Sequence, residues 1–598
     1  MEKRICLKKG LAVCLAGVML LTGCGMADTA SEGPAADNAG ADGGYYEAAP
    51  GDSHAETDEG ASSYAEESGG YDSTAEVMGD TKGDMDFAQA EDAYAEEEKR
   101  SGREESYLDS CYEYEDWAPG DISGEEYSEW EEKGFSSVKR EPLSTFAADV
   151  DTASYSNLRR LIRDGFDLDT LPQGAARIEE MVNYFSYNYK EPKQEEPFGV
   201  TTQISACPWN DEAELLMIGL KTQDIDYAQA PPSNLVFLLD VSGSMYSDDK
   251  LPLLQESFGL LSKNLTKKDR ISIVTYAGDD KIVLEGARGD ETVKIEGALN
   301  GLTAGGSTHG SKGIETAYAL AQKHYIKGGN NRIILATDGD LNVGLTTEEE
   351  LEKLITEKKE SGIFLSVLGF GTGNIKDNKM ETLADKGNGN YAYIDCLREA
   401  NKVLVEEMSA TLLTICKDVK FQVEFNPAVV KGYRLLGYEN RALAKEDFDD
   451  DTKDAGEIGA GHSVTALYEL MLKEPMGGMP DKGIEELKYG KQYREEYGDG
   501  ATGEAAQKEW LTISIRYKKP AEDDSNLLSY PVGYECYTNN PSDDFVFAAA
   551  VAEFGLLASY SEYPEDASVK HVIRALKSID LSDEYKEEFL ELVQTVNK

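Results

Sequence analysis

The sequence predicts an α/β protein built on a doubly wound, mostly parallel sheet that is flanked by a β-rich, sandwich-like domain. Three observations lead there. Between 231 and 416, apolar runs at 235–239 and 333–337 alternate with helical segments, and runs apolar at every position suit parallel strands buried on both faces. After 417 the pattern turns to strict alternation, as in Val419, Phe421, Val423 and Phe425, which marks an antiparallel strand with one buried face. Comparable segments at 200–207 and 215–220 precede the α/β unit, so the two flanks are expected to pair into one sandwich from which that unit projects.

Taken in order, residues 1–24, MEKRICLKKGLAVCLAGVMLLTGC, combine a basic start, an apolar run and small residues. This is the layout of a secretory signal, and it is too short to span a membrane. Residues 25–124 are rich in Ala, Gly, Ser, Asp, Glu and Tyr with little Leu, Ile or Val. Such a segment cannot bury enough apolar surface to offset chain entropy and is expected to be a disordered acidic tether. Residues 125–230 form an N-terminal flanking domain, with a helix beginning at Thr152 or Ser154, a second carrying Ile178, Met181, Val182 and Phe185 on one face, and then two strands. Asp149 and Asp151 are read as turn or helix N-terminal residues.

Within 231–416, strands at 235–239, 271–276, 332–337, 363–369 and 391–395 alternate with helices at 250–264, 310–326, 347–360, 377–386 and 398–415. That alternation is the pattern of a doubly wound sheet. Residues 417–540 are a β-rich flanking domain containing a long polar loop at 474–508, and 541–598 are helical.

The 598 residues carry 59 Lys and Arg against 113 Asp and Glu, a net charge of −54. Nucleic acid is therefore excluded as a partner, since phosphate backbones are engaged by clustered cations. Cys6, Cys14 and Cys24 belong to the leader, leaving Cys111, Cys207, Cys396, Cys416 and Cys536. This odd, scattered set has no CxxC pair and reads as buried thiols with one exposed thiol at Cys111. A Cys396–Cys416 pairing stays open.

The chemistry concentrates at strand ends. In NLVFLLDVSGSM a buried strand stops at Asp240, Ser242 and Ser244; AGGSTHG carries Thr308; and a second buried strand stops at Asp338 in TDGD. Singly, SGS and DG are turn signals. Together, and in order, they place hard oxygens outside the carboxyl ends of parallel strands, where ligands of open α/β sheets bind. Hydroxyl and carboxylate oxygens suit Mg²⁺, with Mn²⁺ or Ca²⁺ as alternatives. His309 is taken as a loop residue, because imidazole fits an all-oxygen site poorly.

The DxSxS, Thr and Asp pattern resembles the metal-ion-dependent adhesion site (MIDAS) of von Willebrand factor type A (VWA) domains. That resemblance implies hydroxyl ligands from Ser242, Ser244 and Thr308, and Asp240 and Asp338 acting through water or hydrogen bonds. It also implies an open metal position for an Asp or Glu of a protein partner. The strings GGNNRIILATDGDLNVG, LGFGTGN, KGNGNYAYID and DAGEIGAGHSVTALYEL resemble bacterial VWA lipoproteins typified by YfbK, from near Glu125 onward. Residues 21–24, LTGC, resemble a lipobox, which implies lipidation at Cys24 and an extracytoplasmic protein anchored to the bacterial membrane.

The expected function is surface-anchored, metal-dependent protein binding, in adhesion or as a scaffold, with self-association in the envelope as the alternative. An enzyme is not expected: neither GxSxG nor HExxH occurs, and His462 in GHSVTAL opens a strand. No oligomeric state follows from the sequence. In VWA domains ligand capture displaces the last helix. Here helix 398–415 runs almost directly into strand 418–425, so the junction either transmits such a displacement to the sheet or fixes the orientation of the two domains.

Overall fold

The structure, a computed structural model, describes residues 122–596 apart from 149–150, 194–195, 226–229, 278–279, 307–309, 340–347, 408–412, 454, 474–508, 521, 523 and 582. The signal segment with Cys24, the acidic tether up to residue 121, Cys111, Asp149, Thr308, His309 and the loop at 474–508 lie outside the described residues.

The α/β unit holds a six-stranded sheet in the order Tyr391–Ile394, Phe364–Phe370, Asn330–Thr337, Ser233–Asp240, Arg270–Tyr276, Asp280–Arg288. Neighbours are parallel except at the last pair. Every residue of Ser233–Asp240 is buried. Alternate side chains of a strand point to opposite faces, and here both faces meet helices. Phe237 and Leu239 pack with Leu254 and Phe258 on one side, while Val236 and Leu238 pack with Ile314 and Tyr318 on the other.

Strand Asp280–Arg288 and helix Thr292–Asn300 were not expected. The strand is an edge with only Leu284 and Ala287 buried, and the helix buries only Ile295 and Leu299, so neither leaves a strong periodic signal.

The flanks do pair. Glu214–Thr222 lies between Phe198–Ala206 and Ser463–Leu472, and Thr414–Phe425 lies between Leu143–Ala147 and Glu509–Lys518. Each sheet thus joins strands from before and after the α/β unit. Leu216, Ile218 and Leu220 of one sheet and Phe421, Val423 and Phe425 of the other share a core. The alternate residues Leu215 and Met217 face a second core made with helices Ala153–Arg163 and Ile178–Asn183 and the C-terminal helices Asp543–Ala558, Val569–Leu576 and Glu584–Thr595.

Three expectations need correction. The last helix of the α/β unit runs over Leu397–Asn401 and continues as a π-helical turn, Lys402–Glu406, before strand Thr414–Phe425. There the side chains dock on neighbouring aromatics: Lys402 Nζ lies 4.4 Å from the Tyr184 ring centre, and Tyr585 donates to Glu406 at 3.0 Å. Asp151 is no helix cap. It is buried and accepts from the Tyr391 backbone N–H at 2.8 Å and from Arg441 at 3.1 Å, tying an edge strand of the α/β unit to the sandwich. Finally, Cys396, expected as a buried thiol, is disulfide-bonded while Cys207, Cys416 and Cys536 are free thiols, which also answers the open question of a Cys396–Cys416 pairing in the negative.

Buried ion pairs fasten these parts to one another. Arg159 of helix Ala153–Arg163 meets Asp395 and Glu399 of the α/β unit and Glu588 of the C-terminal helix. Arg177 meets Glu180, Asp377 and Glu381.

Candidate metal centre

Asp240 and Asp338 stand at the carboxyl ends of adjacent parallel strands, Ser233–Asp240 and Asn330–Thr337. From the first of these the chain winds toward Arg270–Tyr276; the second leads on to Phe364–Phe370 on the opposite side. Adjacent strand ends from which the chain departs in opposite directions form the switch-point crevice of an open α/β sheet.

Asp240 is fully buried. Its Oδ1 accepts from the Ser242 backbone N–H at 2.8 Å and its Oδ2 from the Thr337 hydroxyl at 3.2 Å. Burial pushes its carboxyl up to about 7, against the opposing pull of the Ser242 and Thr337 hydrogen bonds. The chain then turns through a 3₁₀ segment, Gly243–Tyr246, which brings the Ser242 and Ser244 hydroxyls to 2.8 Å. This turn is pinned to the next loop: Gly243 N donates to Gly306 O at 3.1 Å and Gly305 N to Val241 O at 2.8 Å. Thr308 follows two residues later, outside the described residues.

Asp338 is also buried. Its Oδ2 accepts from Lys250 Nζ at 2.9 Å, while its Oδ1 has no hydrogen-bond partner among the described residues. Gly339 follows at φ +104°, a left-handed conformation that glycine tolerates, and a Cβ there would run into the Asn374 carbonyl and Lys376 backbone.

Lys250 was missed by the sequence reading. It directly precedes helix Leu251–Lys263, is only 7% exposed, and lays its stem over Gly371, where a Cβ would overlap it. Next to it, Asp249 accepts from the Thr372 N–H at 3.0 Å, so LGFGTGN serves as the bed for this lysine. No sequence signal separates such a lysine from an exposed one at a helix start.

The donor set is two carboxylates and two hydroxyls, and one buried carboxylate oxygen is left over. These groups fit a hard, oxygen-seeking cation. Among the described residues no group of three or more His, Cys, Asp or Glu could hold a metal; the set at these strand ends belongs to a different donor class. His462 stands apart from it, its carbonyl accepting from the Thr222 N–H at 3.0 Å.

Comparison with known proteins identifies the family. The model for the von Willebrand factor type A domain matches residues 234–406, that for "Uncharacterized protein YfbK, C-terminal" matches 410–598, and a further von Willebrand factor model matches 121–217. The uncharacterized protein YfbK of Escherichia coli K12 is 41% identical over 478 residues, covering 78% of this chain and 80% of that protein. The chain belongs to the YfbK family of VWA proteins. Another relative, the uncharacterized protein sll0103 of Synechocystis, is 25% identical over 53% of the chain and 69% of its own length. Among solved structures, a von Willebrand factor type A protein from Catenulispora acidiphila aligns with 69% of the chain and 91% of its own, at 13% identity and a TM-score of 0.40. VWA domains generally mediate protein–protein interactions, and this YfbK-family chain carries one. Among its described residues no helix is long and apolar enough to cross a membrane.

Proposed function

We propose that this YfbK-family protein is a metal-dependent protein-binding module, held at the bacterial surface or in the envelope by a lipid on Cys24. In this reading Ser242, Ser244 and Thr308 hold a Mg²⁺-class cation through their hydroxyls, with Asp240 and Asp338 acting through water or hydrogen bonds. When bound, the cation supplies an electrophilic position for an Asp or Glu of a partner. The observation that carries the reading is Asp338 Oδ1, a buried oxygen with no donor among the described residues, at a switch point that also gathers two serine hydroxyls. A buried polar atom left unpaired costs about 1–3 kcal/mol and calls for a partner. Tyr246, 83% exposed on the same turn, adds an aromatic of the kind enriched at binding hot spots.

The test is capture of envelope proteins on purified protein in Mg²⁺ or EDTA, with Asp240→Ala alongside. Capture lost in EDTA and in the variant supports the proposal; capture retained in EDTA sinks it. Light scattering with and without Mg²⁺ separates a foreign partner from self-association. Globomycin should block processing at Cys24, and unchanged gel mobility would count against the lipid anchor. Turnover forms no part of the proposal, so labelling by a broad hydrolase probe would oppose it.

A further inference from the structure

We infer that Lys250 is a positioning residue of the metal centre, one that sets its charge so that a bound divalent cation favours an anionic ligand. This rests on the metal-binding reading above and assigns within it a residue outside the DxSxS, Thr and Asp pattern.

The two oxygens of Asp338 are divided. Oδ2 is taken by Lys250 Nζ at 2.9 Å, and Oδ1 is left without a partner among the described residues. Lysine is normally a surface residue and is almost never fully buried unless paired, yet here its side chain is 9% exposed against an aspartate side chain that is 1% exposed. The approach is built on both sides. Gly371, at φ +75°, has no Cβ where the Lys250 stem passes, and Asp249 fastens the preceding residue to Thr372. The ammonium therefore reaches Asp338 along a defined groove from the flank of the site.

Charge arithmetic gives the consequence. Asp240, Asp338 and a divalent cation sum to zero, a neutral site with little preference for an acidic partner. Lys250 raises the sum to +1. In the weakly screened interior such a charge repels the cation and attracts a carboxylate. Lys250 thus weakens metal binding in isolation and strengthens the coupling between metal and carboxylate, a coupling that is reciprocal.

The experiment titrates Mn²⁺ into wild type, Lys250→Met and Lys250→Arg by calorimetry, in chloride and in acetate at equal ionic strength. Circular dichroism confirms the fold, and Lys250→Gln replaces Lys250→Met if the latter does not fold. Wild type should bind Mn²⁺ more tightly in acetate than in chloride; Lys250→Met should bind Mn²⁺ about tenfold tighter than wild type in chloride and lose most of that acetate enhancement, while Lys250→Arg behaves as wild type. Equal or weaker Mn²⁺ binding by Lys250→Met overturns the inference, since loss of a mere structural prop cannot tighten binding. So does an arginine variant that behaves like the methionine one. If neither wild type nor variant binds Mn²⁺, the metal-binding reading itself fails and the inference goes with it.

Discussion

Arg159 Nη2 lies 2.8 Å from Glu399 Oε2, and both side chains are 1% exposed. The same guanidinium reaches Asp395 at 2.5 Å and Glu588 at 3.3 Å. One cation therefore joins the last helix of the VWA domain, a helix whose Arg159 lies 240 residues earlier in the chain than Glu399, and the C-terminal helix. Taking one partner out of a buried pair leaves an uncompensated charge and costs about 3–5 kcal/mol. Arg159→Met should lower the unfolding free energy obtained from urea titration by that amount, read by fluorescence of the buried Trp209. A change below about 1 kcal/mol would show that the three carboxylates manage without it.

A last helix held in this way resists displacement. Small-angle scattering profiles in EDTA and in Mg²⁺ should superimpose for the wild type, and diverge for Arg159→Met if that variant folds. Divergence already in the wild type would mean that the junction transmits motion in spite of the buried pairs.

Burial, and next the Glu439 carboxylate, pushes the Glu179 carboxyl up to about 7. Between the ordinary Glu value of the unfolded chain and about 7, the folded protein holds the extra proton. The stability linked to it is complete at low pH and is lost as pH rises through that window. Wild type should therefore lose stability relative to Glu179→Gln between pH 5 and pH 8, and parallel profiles would contradict this.

Burial also raises the Cys416 thiol to about 12, and Cys207 is likewise buried and free. Iodoacetamide should leave both untouched in the native protein and modify them after denaturation, whereas Cys396 should react only after reduction. Labelling of Cys396 without reductant would refute the disulfide.

The two central parallel strands were legible because each carries a continuous apolar run, 235–239 and 333–336, and Asp240 and Asp338 because they stand where those runs end. What stayed hidden was charge inside the core. The helix Ala153–Arg163 shows Leu158, Leu161 and Ile162 at core spacing, but Arg159 and Arg160 are buried beside them, and periodicity cannot reveal partners hundreds of residues away. Lys250 was invisible for the same reason, its groove being supplied by Gly371 and Thr372.

The pairing of Glu214–Thr222 with Ser463–Leu472 bears on how the chain reaches its native state. Thr222 and His462 are hydrogen-bonded across 240 residues. An open coil of that length would have to close a very large loop before the ladder could form, and such closure is slow. The intervening VWA domain draws on nearer contacts and shortens that loop by folding. The VWA unit thereby doubles as the clasp that delivers two distant strands to each other.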